Sequence, residues 1–145
     1  MIGLLQRVTQ ASVTVDDERI ASIDHGLMVL VGIEQQDDAA KADRLLEKLL
    51  AYRVFADAQG RMNQSLTDIG GGLLLVPQFT LVADTTKGLR PSFASAAAPN
   101  VAQQLFGYLC ERAAAQHATT AFGRFGADMQ VALVNDGPVT FRLQV

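Results

Sequence analysis

The residues that ordinarily do chemistry at neutral pH are few in this chain. There are two histidines, His25 and His117, and a single cysteine, Cys110. His25 sits before a glycine at an expected turn and His117 at the end of an expected helix, and neither has a partner placed beside it by spacing. No His-x-x-x-His pair or cysteine cluster offers metal-ligand spacing, so neither a metal nor another cofactor is expected. Cys110 falls inside a helix, where a small buried apolar role is the ordinary one. No Gly-x-Ser-x-Gly nucleophile element occurs. The run Gly70-Gly71-Gly72 precedes a strand rather than opening a helix, and no Gly-Lys-Ser/Thr follows, so it reads as a flexible turn and not as a phosphate cradle. Any catalysis must work without the familiar nucleophile and base.

Two stretches remain. In Pro77-Gln78-Phe79-Thr80-Leu81 a strand would put Gln78 and Thr80 on one face and Phe79 and Leu81 on the other. Two polar groups on one side of an apolar strand must find partners or line a pocket. Pro77 cannot donate a ladder hydrogen bond, so the strand is expected to be irregular or at an edge there. The second stretch is Asn135-Asp136-Gly137-Pro138-Val139-Thr140. Gly-Pro between strands is ordinarily a turn, and with only about 5–6% of X-Pro bonds cis, the residues alone favour trans.

The elements that must position these stretches follow from periodicity. Strands are expected at residues 2–8, 12–15, 19–23 and 27–33, an antiparallel meander whose last member is apolar enough to be covered on both faces. Asp37 and Asp38 are placed to cap a helix over 39–50, with Ala42, Leu45, Leu46, Leu49 and Leu50 on its buried side. A short strand at 52–55 and a turn at 57–60 lead to a short segment around Met62. The glycine run then opens a long strand over 73–82, and a polar loop occupies 85–95. Pro99 suits the first turn of a second helix ending near Gln116, with Val101, Leu105, Tyr108, Leu109 and Arg112 on one stripe. Strands at 129–135 and 139–145 close the chain around the Asp136-Gly137-Pro138 turn. The expected class is α/β: a single sheet-rich domain spanning 1–145, with a strand meander and two main helices rather than a series of βαβ units.

Bulk properties narrow the function classes. The chain has 145 residues, 49% of them hydrophobic and 19% charged, as an ordinary globular domain does. Its formal net charge of -3 provides no bulk attraction to nucleic acid, so DNA is not an expected partner and any RNA contact must be local. One cysteine forms no internal disulfide, and no stretch has the length of a membrane span, so a reducing, cytoplasmic setting away from membranes is expected.

At the two polar stretches the chain resembles the D-aminoacyl-tRNA deacylases. The family pattern Ser-Gln-Phe-Thr-Leu is similar to Pro77–Leu81, and Asn-x-Gly-Pro-Val-Thr is met at Asn135–Thr140. Lys87-Gly88-x-Arg90-Pro91-Ser92-Phe93 and the opening Gln6-Arg7-Val8 with Ala11-Ser12-Val13 also match, and the likeness runs end to end. The resemblance implies a homodimer that hydrolyses the ester of D-aminoacyl-tRNA, taking the 3′ acceptor end as its substrate. It implies that Gly137 and Pro138, joined by a cis bond, enter the partner's site as a chiral filter, and that Arg7 supports them. Gln78, Phe79 and Thr80 would frame the pocket for the terminal adenosine and scissile ester. A filter that rejects a side chain admits glycine, so Gly-tRNA(Ala) also falls within reach. Lys87, Arg90 and Arg124 are the expected contacts to the acceptor end. Serine is the family residue where this chain has Pro77, which lacks both a hydroxyl and an N–H.

Three questions stay open at this level. Thr80 is a nucleophile, or it positions while the ribose 2′-hydroxyl assists water. The relative is a D-specific deacylase, or an editing enzyme of other stereochemistry with a trans Gly-Pro. A third alternative is a non-catalytic binder of RNA ends or small metabolites, in which Gln78 and Thr80 only hydrogen-bond a ligand.

Overall fold

A computed structural model describes residues 1–145. Its spine is β1 (Ile2–Val15), one long strand where two short ones were expected. Along one side β1 pairs antiparallel with β2 (Glu18–Ile23) over its second half and with β3 (Gly26–Gly32) over its first. β2 and β3 therefore form the broken return arm of a single long hairpin, interrupted at Asp24-His25. The other side of β1 pairs along its length with β8 (Gln130–Gln144), which is continuous where two strands and a turn were expected.

The chain then crosses over twice. After α1 (Ala39–Ala51), the small ribbon of β4 (Phe55–Ala56) and β5 (Met62–Gln64), and the single turn α2 (Leu66–Ile69), β6 (Gly72–Pro77) lies parallel to β3. After α3 (Pro99–Gln116), β7 (Thr120–Phe122) lies parallel to β6. These are two βαβ crossovers, parallel pairings that the periodicity did not reveal, set in a sheet whose other pairings are antiparallel; the class, sheet-rich α/β, stands. Parallel neighbours explain why β3 and β6 are so uniformly apolar. Their residues Leu27, Val29, Leu73 and Leu75 join the helix-side core, and Met28, Leu74 and Val76 join a second cluster on the opposite face. That second face is covered by the curled end of the sheet, with Val13, Val15, Ala21 and Ile23 packed against it.

The glycine run has a packing reason. Gly70 ends α2 at φ +60, and Gly26 and Gly72 meet so closely that a Cβ on Gly26 would lie 2.0 Å from the Gly72 carbonyl oxygen. Of the two aspartates before α1, only Asp38 caps it, accepting from the Lys41 N–H at 2.9 Å. Asp37 is buried and holds the Met1 ammonium at 2.6 Å. α1 buries Ala42, Leu45, Leu46 and Leu49, as its spacing predicts. The buried stripe of α3 is Ala102, Phe106, Leu109 and Ala113, rotated from the expected one, with Val101 exposed. Asp43 ties α1 to α3 through Tyr108 Oη and Arg112 Nε, each at 2.9 Å; the Arg112 and Tyr108 bonds hold its carboxyl below the usual range. No helix is long and apolar enough to cross a membrane.

Candidate active site

β6 does not run on to Val82 as expected. It stops at Pro77, and Phe79–Val82 form one turn of 3-10 helix. Gln78 starts the turn with its N–H bonded to the Val31 carbonyl at 2.8 Å. The Gln78 and Thr80 side chains do come together, as strand alternation predicted, but through the turn: Gln78 Nε2 donates to Thr80 Oγ1. In a 3-10 turn whose first bond runs from Leu81 N–H to the Gln78 carbonyl, the N–H groups of Phe79 and Thr80 find no acceptor within the turn. Phe79 is 60% exposed and its ring packs against Phe93, centroids 5.1 Å apart.

Gln78 and Phe79 open onto a cleft of about 470 Å³, a size suited to a small-molecule moiety. Its other wall is the loop Phe125-Gly126-Ala127-Asp128-Met129, and Ala96, Ala97, Pro99 and Ala102 form its floor. Sequence reasoning missed this wall, because apart from Asp128 it carries no titratable group; the signal was only the pair Gly123 and Gly126 around Arg124-Phe125. Small side chains on the floor leave room, and Phe125 and Met129 supply flat or deformable apolar surface.

The other acid–base candidates lie outside the cleft. His117 is buried with Nε2 2.6 Å from the Gly71 carbonyl, which ties the end of α3 to the start of β6. His25 meets Phe55 edge-on, centroids 5.2 Å apart. Burial, and secondarily the charge of Glu111, pushes the Cys110 thiol up to about 12, so it is inert at neutral pH. No group of three or more His, Cys, Asp or Glu side chains is arranged to hold a metal ion.

Gly137 and Pro138 belong to a different construction. Gln6 pairs with Thr140 and Val8 with Asn135, so residues 136–139 of β8 stand opposite Arg7 alone. The excursion is a bulge within a strand, not a turn between two. Asn135 closes it from inside: its Oδ1 accepts from the Val139 N–H at 2.7 Å, and its Nδ2 donates to Thr140 Oγ1 at 3.0 Å. Arg7 closes it from across the ladder, Nε donating to the Asp136 carbonyl at 2.9 Å and Nη1 to the Val54 carbonyl at 2.6 Å. Asp136 Oδ2 is a further 3.2 Å ion-pair partner of Arg7 Nε. The Gly137–Pro138 bond is cis, and Gly137 has φ +142, a conformation that L side chains rarely adopt. Both residues are exposed.

Gly137 and Pro138 do not line the cleft of Gln78 and Phe79. Arg7 pairs with Leu27, which pairs with Leu73, so the bulge lies level with Leu73. From Leu73 to Gln78 the backbone advances roughly 17 Å along the strand direction. Within one chain, then, Arg7, Gly137 and Pro138 form one group and Gln78, Phe79 and Thr80 another.

Comparison with known proteins assigns this arrangement to a family. The family model described as D-Tyr-tRNA(Tyr) deacylase matches residues 4–144. A D-aminoacyl-tRNA deacylase of Stutzerimonas stutzeri (strain A1501) is 64% identical over 144 residues, 99% of each chain. One from Pseudomonas putida (strain GB-1) is 63% identical over 145 residues, the full length of both. Among solved structures, one named c-Myc DNA Unwinding Element Binding Protein superimposes with a TM-score of 0.95 at 36% identity, covering 100% of this chain and 99% of that one. A probable eukaryotic D-amino acid tRNA deacylase shares the fold, with a TM-score of 0.80 at 18% identity over 98% of both chains. The class is thus a hydrolase acting on tRNA esters. The chain belongs to the D-aminoacyl-tRNA deacylase family.

Proposed function

We propose that this protein hydrolyses the ester of D-aminoacyl-tRNA, and that each working site joins the cleft of one subunit to the Gly137–Pro138 bulge of a second. One observation carries the composite site: the two groups of candidate residues lie roughly 17 Å apart along the strands of a single chain. A site that uses both needs two copies. β8 supports the pairing, because its outer edge has no partner strand and it exposes Val134 (48%) and Phe141 (38%). A long unpaired edge with apolar side chains is a natural place for a second copy.

In this reading the cleft receives the terminal adenosine and the bulge meets the amino acid. Inverting one stereocentre exchanges hydrogen and side chain, so a rigid backbone wall rejects the L hand by clash while tolerating every D side chain. Glycine has no side chain to reject, and Gly-tRNA(Ala) is accepted as well. The cleft offers no histidine or cysteine as base or nucleophile. The ribose 2′-hydroxyl of the substrate therefore assists the attacking water, Thr80 positions, and the N–H groups of Phe79 and Thr80 face the developing oxyanion. Lys87, Arg90 and Arg124 meet phosphates of the acceptor end. With so few contacts, each adding about 0.7–0.9 to the salt slope, binding loses affinity only moderately as salt rises.

The test is complementation. Gly137→Ala and Gln78→Ala proteins, each inactive on D-Tyr-tRNA, are unfolded together and refolded as a mixture. Random pairing makes mixed dimers in which one of the two sites is intact, restoring roughly one quarter of wild-type activity. No recovery, alongside recovery of wild-type protein treated the same way, counts against the shared site.

A further inference from the structure

Resting on the deacylase reading, we propose that Phe93, paired with Phe79 at the rim of the cleft, is a stacking platform for the base that precedes the terminal adenosine. The occupant is the single-stranded 3′ end of an RNA. Phe93 is 40% exposed, and its ring packs on Phe79, which itself lines the cleft. The pair thus continues the apolar surface of the cleft outward, toward where the chain of a nucleic acid must leave. The segment carrying Phe93 is held on both sides. Asp84 and Ser92 exchange backbone hydrogen bonds of 2.8 and 3.0 Å, and Gln35 Nε2 donates to the Ala94 carbonyl at 2.6 Å. Ser95 Oγ donates to the Val82 carbonyl at 2.6 Å. An exposed aromatic on a clamped backbone loses little freedom when a base settles on it.

Charge favours the same occupant. The excursion closed by Asp84 and Ser92 carries Lys87 and Arg90, and neither has a carboxylate within ion-pair distance. Leu89 between them is fully exposed. Flat aromatic surface beside unpaired cations is how proteins hold single strands: bases stack and phosphates meet the charges. Both features exceed what a nucleoside bound in the cleft would need.

Two substrates separate this platform from the catalytic site. One is D-tyrosyl-adenosine, a single nucleoside ester; the other is a D-tyrosylated RNA minihelix with an unpaired 3′ end. Phe93→Ala is expected to lower kcat/KM on the minihelix by roughly 5- to 150-fold, the equivalent of 1–3 kcal/mol for one stacked base, through KM, and to leave the nucleoside ester unchanged. Phe93→Tyr should restore the minihelix rate. Phe93→Leu, which keeps apolar bulk without a π face, should not. Equal losses on both substrates, or full activity of Phe93→Ala on the minihelix, overturns the proposal. A non-acylated minihelix with 2-aminopurine before its terminal adenosine gives a readout independent of turnover. Its fluorescence should fall on binding wild-type protein and not on binding Phe93→Leu; equal quenching by both overturns the platform. If wild-type protein hydrolyses neither ester, the deacylase reading falls and the fluorescence still decides the stacking.

Discussion

The bulge around Gly137 and the turn around Gln78 both interrupt a strand, but they are held in opposite ways. The bulge is braced by side chains, from inside and from across the ladder. Arg7 reaches it from β1 and joins it to the Val54 carbonyl of another segment, and Asn135 bonds both sides of the excursion. The turn at Gln78–Thr80 is braced mainly through its backbone, by Gln78 N–H on Val31, while its two polar side chains bond only each other. A backbone feature fixed by several side chains suits a rigid wall, whose value lies in refusing to move. Side chains that satisfy each other can exchange that bond for one to a ligand at little net cost. On the proposed reading, the first region discriminates and the second adapts, and substitutions in the two should differ in size and kind.

Gly137→Ala should have the largest effect. A Cβ there would lie 2.7 Å from Val139 Cγ2 and 3.0 Å from the Val139 nitrogen, at a φ of +142 that alanine resists. A displacement of about 1 Å in a positioning group costs on the order of 10²-fold in rate, and D-Tyr-tRNA hydrolysis should fall at least that far. Hydrolysis of L-Tyr-tRNA, measured in parallel, should gain relative to it. A folded variant with unchanged rate and unchanged preference for the D ester would detach the bulge from discrimination.

Arg7→Ala should come next. It removes charge-assisted bonds to the Asp136 and Val54 carbonyls from a side chain only 14% exposed. Loss of one such bond, about 1.5 kcal/mol, corresponds to roughly tenfold in kcat/KM. The diagnostic readout is the D-to-L ratio: it should fall with Arg7→Ala if the arginine acts through the bulge, and stay constant if it serves stability alone.

How far the comparison was legible beforehand depends on what holds each region. Period-2 and period-3.6 patterns report burial, and they located β3, β6, α1 and most of α3 because those elements are held by packing. They could not see the bulge, since Asp136-Gly137-Pro138 has the composition of a turn; Asn135 and Arg7, acting through hydrogen bonds to backbone, turn it into an excursion that rejoins the same strand. They also overran β6, because Phe79, Leu81 and Val82 are good strand residues, while the turn is set by Gln78 bonding back to Val31. The two crossovers were hidden for a related reason: whether a strand pairs parallel is decided across the sheet, and residues 52–72 read only as a short strand, a turn, a short segment and a glycine turn. The cleft wall at Phe125–Met129 was invisible because shape, not reactive chemistry, is what it contributes.

At Thr80 the expected effect is smaller. Thr80→Val keeps the shape and removes one hydroxyl, so turnover should fall by a hydrogen bond's worth, roughly 0.5–1.5 kcal/mol or about 2- to 13-fold. Replacing the terminal 2′-hydroxyl of the substrate with hydrogen should be more damaging. An acyl-Thr80 species seen by mass spectrometry would reverse that order and make Thr80 a nucleophile.

Pro77→Ser should have the smallest effect, and it tests whether the turn is self-sufficient. The N–H groups of Leu73 and its alternate neighbours face β7, as the 2.9 Å bond from Leu73 to the Thr119 carbonyl shows. A donor at position 77 would therefore point toward Gly123, just past the end of β7 at Phe122. The proline ring fills that space: a Cβ on Gly123 would lie 3.1 Å from Pro77 Cδ. Serine could form one more ladder bond there, adding about 0.5–1.5 kcal/mol of stability, and it would release about 0.4–1 kcal/mol worth of extra freedom in the unfolded chain. The two nearly cancel, so the melting temperature should move by no more than roughly 2–4 °C. The cleft keeps Gln78, and Thr80 keeps its bond to Gln78, so on the proposed reading kcat/KM on D-Tyr-tRNA should stay within about twofold, less than a single hydrogen bond commonly contributes. A gain of about tenfold or more would show that the position-77 hydroxyl or N–H reaches the reacting ester. The turn would then be an incomplete device in this chain, and its contrast with the fully braced bulge would reflect a missing contact rather than a division of labour.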